Sequence, residues 1–306
     1  MTSFAIIPLA FILGFALARA ATCTVAATGR LVIAGKWDWM FGLLVVPGWA
    51  GLTLFALVQT TDGTANLPVD LVMGWQMVVA AILMGIGAFL NRACFVGTVS
   101  KIGTGDFAYL LTFAGLALAM WIGHGMAFMD NVTVTQANAP ILQDSGRIAA
   151  YLVFAVLAAI SLYRMVKDRN RAMMALCTVG ISAALIFGSS DNWGYTQVMD
   201  NLVNGAGLSS GMALELSIFA LFGGAIVSSA LRDRFRPHFS NMRLASMNFI
   251  GGFLMGVGAL AVPGGNDLLL LWTIPGLAIY GVAAYLVMIA TIAAIMWTMR
   301  RRGSHA

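Results

Sequence analysis

The sequence predicts an all-α polytopic membrane protein with about nine transmembrane helices, an inverted internal repeat and broken or re-entrant segments. Three observations carry this reading. Of 306 residues, 60% are hydrophobic and only 9% charged; apolar stretches of membrane-spanning length recur along the chain; and the basic residues fall almost entirely on alternate connections between those stretches. A water-exposed surface needs roughly a quarter of its residues charged, so a mean hydropathy of +0.89 excludes a soluble enzyme. Disorder requires low hydrophobicity, and three cysteines cannot staple a chain of this length.

A bilayer core ~30 Å thick requires ~20 mostly apolar residues per helix. Nine stretches qualify: 4–22, 39–59, 72–90, 107–128, 147–164, 172–190, 211–230, 244–262 and 276–299. The first contains Ala18-Arg19-Ala20, which resembles a signal-peptide cleavage site, but Met1-Thr2-Ser3 lacks the positive leader of such peptides. It is therefore read as a span. Glycines interrupt several of the others, at Gly85 and Gly87, Gly223 and Gly224, and Gly251, Gly252, Gly256 and Gly258. Small residues at such positions let helices approach closely or stop partway across. Nothing resembles a linker, so residues 1–306 read as a single transmembrane transporter domain.

Sorting the connections alternately places every Lys and Arg on one side except Arg147, while the other side carries Asp62, Asp70, Asp130, Asp144, Asp191, Asp200, Glu215 and Asp267. By the positive-inside rule the basic side is cytoplasmic. The expected setting is a bacterial cytoplasmic (inner) membrane, with the N-terminus periplasmic and the C-terminus cytoplasmic. The formal charge of +5 and the pI near 9.4 are then marks of topology, and no nucleic-acid partner is expected.

Leu83-Met84-Gly85-Ile86-Gly87-Ala88-Phe89 recurs as Leu254-Met255-Gly256-Val257-Gly258-Ala259-Leu260, with five identities in seven. The first copy runs from an acidic connection to a basic one and the second runs the opposite way. That is the signature of an inverted-topology repeat, with a first half of about 1–145 and a second of about 172–306. Paired, glycine-interrupted helices of this kind point to a transporter whose substrate site lies where the interrupted segments meet. Cys94 and Gly97 follow the first copy; Pro263-Gly264-Gly265-Asn266-Asp267 follows the second. Pro and Gly cannot continue an ideal helix there.

Cys23 lies four residues beyond Arg19, and Cys94 two beyond Arg92. An arginine at membrane depth marks a pathway or snorkels to the interface. A thiol near fixed positive charge is driven toward thiolate, and sulfur is a soft partner for another sulfur atom. The pairs suit a small anion carrying reduced sulfur. Cys177, with no such neighbour, reads as a buried small hydrophobe. His124 and Glu215 each read either as interfacial residues or as proton sites, and Trp37, Trp39, Trp193 and Trp272 as interfacial anchors.

The patterns Gly14…Arg19…Cys23, Gly85-x-Gly87-Ala88…Cys94-x-x-Gly97 and Gly251-Gly252-x-Leu254-Met255-Gly256-x-Gly258-Ala259…Gly264-Gly265-Asn266 resemble the YeeE/YedE family of sulfur-compound transporters over nearly the whole chain. The resemblance implies an inner-membrane permease for thiosulfate, without cofactor or metal, in which cysteines along a central path touch the substrate in turn. It also implies a small cytosolic sulfur carrier of the TusA type as a companion. Cys23 and Cys94 match the first two functional cysteines of the pattern. The third is absent, because this chain reads Pro263-Gly264-Gly265-Asn266 where the family has Gly-Gly-Cys-Asn. The substrate-pathway residues expected are thus Cys23, Cys94, Arg19, Arg92, Gly97, Gly264, Gly265 and Asn266. A selenium compound or another small anion is the alternative cargo, and an intramembrane serine hydrolase is the rival class. Gly207-Leu208-Ser209-Ser210-Gly211 fits G-x-S-x-G, but that motif requires a strand-to-helix turn and a base, so no enzymatic activity is expected.

Overall fold

The protein is described here by a computed structural model that covers residues 3–20, 23–61, 65–125, 144–190, 193–194, 212–263 and 265–303. Gly264 and the Gly207–Gly211 motif lie outside the described residues. The described residues form twelve α-helices: α1 (Ile6–Ala20), α2 (Thr24–Ala34), α3 (Asp38–Thr60), α4 (Trp75–Asn91), α5 (Phe95–Gly103), α6 (Leu110–Gly125), α7 (Asp144–Asp168), α8 (Arg171–Ser189), α9 (Met212–Ala230), α10 (Met242–Ala261), the short α11 (Gly265–Leu268) and α12 (Ile279–Gly303). A π-helical turn, Leu269–Thr273, continues α11. Among the described residues, eight helical segments are long and apolar enough to cross a membrane, and Phe107–Gly123 is a shorter apolar one. Together they coincide with the nine stretches read from the sequence, as expected of a chain that must satisfy its backbone internally in hydrocarbon. This is an all-α, multi-pass membrane protein.

Two spans run further than their apolar stretches suggest. The first reaches Ala34 and the third reaches Gly103, each 29 residues long. Each is broken once, between α1 and α2 just before Cys23 and between α4 and α5 just before Cys94. The second pieces carry Thr, Gly and a basic residue, too polar for a lipid-facing helix. Other helices cover them: α2 packs on α3 and α12, and α5 on α1 and α9.

Helices α4 and α10 cross antiparallel, and their contacts exchange when the 171-residue displacement between Phe95 and Asn266 is applied. A β-carbon on Gly87 would come within 2.6 Å of the Gly251 carbonyl oxygen; one on Gly258, its counterpart, would come within 2.7 Å of the Ala80 carbonyl oxygen. Ala80 is in turn the counterpart of Gly251. Gly87 also meets Met255, and Gly258 meets Met84. Outside this pair, Gly85 makes room for Met288 and Thr291 of α12, and Gly256 for Leu116 and Ala119 of α6. Helices α1 and α9 show the same reciprocity, Gly14 facing the Leu221 carbonyl and Gly224 the Phe11 carbonyl.

At the basic end, the turn after α5 is clasped to the loop before α10. Arg236 N donates to Thr104 O (3.0 Å), His238 N to Gly105 O (2.9 Å) and Phe107 N to His238 O (3.0 Å). The Asp106 carboxylate accepts from Ala108 N (3.2 Å) and from Ser240 Oγ (2.7 Å). Gly105 adopts φ +95°, and a side chain there would strike the Arg236 carbonyl.

Trp193 and Trp272 are not interfacial anchors. Both are buried, and both contact the Phe187 ring, at 5.1 and 5.6 Å between centroids. Trp193 Nε1 donates to Ser217 Oγ (2.7 Å), so its polar handle is satisfied inside the protein. Trp37 is exposed, and Trp39 is covered by the Arg30 guanidinium at 4.7 Å.

Candidate functional site

Both span breaks end in the same way, with a cysteine in extended conformation capping the helix that follows. Cys23 caps α2 at φ −100°, ψ 114°, and Cys94 caps α5 at φ −75°, ψ 174°. A cap position normally carries Ser, Thr, Asp or Asn, whose oxygen takes up one of the four amides that a helix start leaves without partners. Sulfur is a weak substitute. Cys94 Sγ accepts from Gly97 N at 3.4 Å, while Cys23 makes no full cap bond, although the amides of Val25 and Ala26 point toward its sulfur. The positive ends of α2 and α5 are therefore left under-satisfied, which favours an anion.

The two thiols are hydrogen-bonding neighbours, and the arrangement is crossed: the Thr24 amide faces the Cys94 sulfur and the Cys94 amide faces the Cys23 sulfur. Gly97 makes this approach possible. A β-carbon there would lie 2.8 Å from Cys23 Sγ and 3.2 Å from Ala93 Cβ. Cys94 is buried and Cys23 half-buried. The break between α4 and α5 lies beside the middle of α10. Asn91 abuts Gly251, nine residues into α10, or ~14 Å at 1.5 Å per residue, about half of a ~30 Å hydrocarbon core.

A cavity of about 650 Å³ opens beside the first turns of α2 toward the basic end, lined by Val25, Ala26 and Gly29 of α2, by Phe89 and Arg92, by Ser240, Asn241, Arg243 and Leu244, and by Met247, Met296 and Met299. Arg92 is held at φ 57°, a left-handed conformation that turns the chain out of α4 and puts the guanidinium on the cavity wall. Arg243 joins it from α10. Arg19 is elsewhere: its Nε donates to Ser228 Oγ (3.2 Å) and its guanidinium covers the Phe15 ring at 4.3 Å, tying α1 to α9. Arg232 reinforces this tie by donating to the Ala18 carbonyl at 2.7 Å.

The second half brings its own break to the same place. Phe95 N donates to Asn266 Oδ1 at 3.4 Å, a bond between residues that correspond in the two halves. Gly265, the counterpart of Cys94, opens α11 at φ 71°. That backbone favours glycine over any side chain, in keeping with the absence of a third motif cysteine. Cys177 lies apart, its sulfur 3.8 Å from Ser161 Oγ between α7 and α8. Glu215 sits in the first turn of α9, and the side chain of His124 is outside the described residues. Among the described residues no group of three or more His, Cys, Asp or Glu side chains gathers as a metal site.

Sequence reasoning missed the groups that hold the break in shape. Asn91, fully buried, donates to Ala93 O (2.8 Å) and Thr98 Oγ1 (2.9 Å) and accepts from Thr112 Oγ1 (2.7 Å). Thr24 Oγ1 pairs with Tyr285 of α12 at 2.8 Å. A lone Asn beside an Arg at a span end looks like an interfacial residue, and only the fold reveals its three partners. Asn91→Ala leaves buried groups unpaired at about 1–3 kcal/mol each. It is expected to lower the thermal unfolding midpoint in detergent by several degrees, and an unchanged midpoint would show that the network does not set the break.

Among known proteins, the family model described as sulphur transport matches residues 19–174, which include both capping cysteines and α2 to α7. No curated protein matches the chain significantly.

Proposed function

Since the chain belongs to the sulphur-transport family, as its likeness to the YeeE/YedE proteins implies, and so carries sulfur compounds across a membrane, we propose that its cargo is a small reduced-sulfur anion such as thiosulfate, passed between the Cys23 and Cys94 thiols. One observation supports this most directly. Two thiols cap two half-helices whose positive ends converge, and the first turn of one of them, at Val25 and Ala26, lines a cavity carrying Arg92 and Arg243. Fixed amide dipoles meet the charged oxygens and the soft thiols meet the terminal sulfur, so recognition needs both ends of the anion. A sulfate ion lacks the second. Selenium analogues share that softness and are the alternative cargo.

In this reading residues 1–145 and 172–306 are inverted pseudo-repeats, the basic end is cytoplasmic, and the membrane is the bacterial inner membrane. Gly97 lets the Cys23 sulfur approach the start of α5, and Gly265 and Asn266 line the passage from the second half. Arg19 holds α1 on α9 and bears on the pathway only indirectly. The cavity is where a released anion meets a cytosolic acceptor, for which a TusA-type sulfur carrier is suited.

Uptake of radiolabelled thiosulfate into cells expressing the chain, with unlabelled thiosulfate, sulfite, sulfide, selenite and sulfate as competitors, tests the proposal. Thiosulfate should compete best and sulfate least; equal competition by sulfate would remove the thiols from recognition. Arg92→Glu inverts the charge on the cavity wall, a change worth ~1 kcal/mol or more near a partly screened anion. It is expected to raise KM for thiosulfate about fivefold or more, and an unchanged KM would free Arg92 of any role in attraction.

A further inference from the structure

We propose that Asp267 is the proton-binding group that couples anion movement to proton movement, resting on the reading of the chain as an anion permease. Asp267 stands next to Asn266 at the meeting point of the two breaks, in the connection between the spans Met242–Ala261 and Ile279–Arg301. It is 1% exposed, and neither carboxylate oxygen has a hydrogen-bond partner. Asn266 Nδ2 beside it is also unpaired.

Buried polar groups are almost always paired, and an isolated buried carboxylate costs several kcal/mol unless it takes up a proton. A lone aspartate here is therefore either neutral or waiting for a partner that comes and goes. The elements packed against it, α5, α10 and the π-helical turn, bring no charged side chain to bear on it among the described residues. The amides of Asp267 and Leu268 lie alongside the carboxyl without forming a hydrogen bond to it. Burial, as the largest influence, raises the carboxyl from the usual carboxylate range to about 7. Protons are thus exchanged near neutral pH, with the acid form gaining below that point and the carboxylate above it.

The same group answers an energetic need. Entry of a divalent anion works against an inside-negative potential at ~2.3 kcal/mol per charge per 100 mV. A carboxyl protonated from the acidic end and discharged toward the basic end lets each transport cycle carry a cation with the anion. A negatively charged Asp267 would also repel the anion at the thiols, so protonation and anion entry favour one another.

The test uses the purified full chain in proteoliposomes, with the voltage held at zero by valinomycin and equal K⁺. An inward proton gradient of one pH unit then drives about tenfold accumulation of thiosulfate per coupled proton. Asp267→Asn, a fixed mimic of the neutral form, should retain thiosulfate counterflow within about twofold while losing gradient-driven accumulation. A variant that still accumulates thiosulfate overturns the proposal. If Asp267→Asn loses counterflow as well, the decision passes to the wild-type chain loaded with a pH-sensitive dye: internal acidification must accompany thiosulfate entry, and its absence overturns the proposal. Wild-type counterflow without any proton dependence sinks this inference alone, whereas no counterflow of thiosulfate, sulfite or sulfide sinks the permease reading and this inference with it.

Discussion

Cys94→Ser abolishes thiosulfate uptake while the chain still reaches the membrane in normal amount. Serine is a good helix cap, often better than cysteine, so α5 keeps its start and Gly97 N keeps an acceptor. What disappears is the soft, polarizable atom beside Cys23 Sγ. A hard hydroxyl in its place binds solvent or the Cys23 thiol instead of a sulfur terminus. Uptake is expected to fall at least ~100-fold, the scale on which a site that loses a required buried partner rejects its substrate. The check is radiotracer uptake normalised to the quantity of chain in the membrane. Full uptake by Cys94→Ser would dismiss the thiol pair from transport, and Cys177→Ser, whose sulfur packs between α7 and α8, should have little effect on uptake.

The second large effect is structural. Gly87→Val and Gly258→Val should each prevent assembly of a folded chain, and to a similar degree. On both sides the added atoms would meet backbone, the Gly251 carbonyl oxygen at 2.6 Å in one case and the Ala80 carbonyl oxygen at 2.7 Å in the other. Backbone in a helix cannot swing aside like a side chain. Overpacking costs on the order of 1–3 kcal/mol even where side chains yield, and here two helices would have to separate. Size-exclusion profiles of fluorescently tagged protein would show loss of the monodisperse peak for both. Gly223→Val is the control, because a β-carbon there has nothing within 4 Å. A normal profile for either crossing variant would show that α4 and α10 tolerate a wider separation than the structure has.

The nine spans could be read from the sequence because hydrocarbon enforces a coarse rule, a long apolar run for each crossing. The breaks could be read only in part. Pro263 and its neighbouring glycines announce one. No such signal precedes Cys23 or Cys94, where the helix ends at residues of ordinary propensity and Arg92 adopts a left-handed conformation seldom used outside glycine. The pieces beyond those breaks, Thr24–Ala34 and Phe95–Gly103, are 11 and 9 residues long. They are too short for the apolar rule and face other helices, so their polarity resembles that of connecting loops. Arginine placement was ambiguous for a related reason. Arg19 and Arg92 precede their cysteines by four and two residues, yet one side chain is tied to Ser228 and Phe15 and the other lines the cavity. Spacing along the chain does not give the rotation of a helix about its axis, which packing sets. Trp193 and Trp272 failed as interface markers because Phe187 and Ser217 give them the apolar and polar contacts that a headgroup layer would otherwise supply.

The backbone stitching of residues 104–107 to 236–240 constrains how such a molecule opens and closes. Because α5 follows one break and α10 precedes the other, that short seam ties their basic ends together. On the permease reading proposed above, motion that alternately admits an ion from each side has to pivot around the seam, with its leverage on α2 and on α12, whose Met296 and Met299 line the cavity.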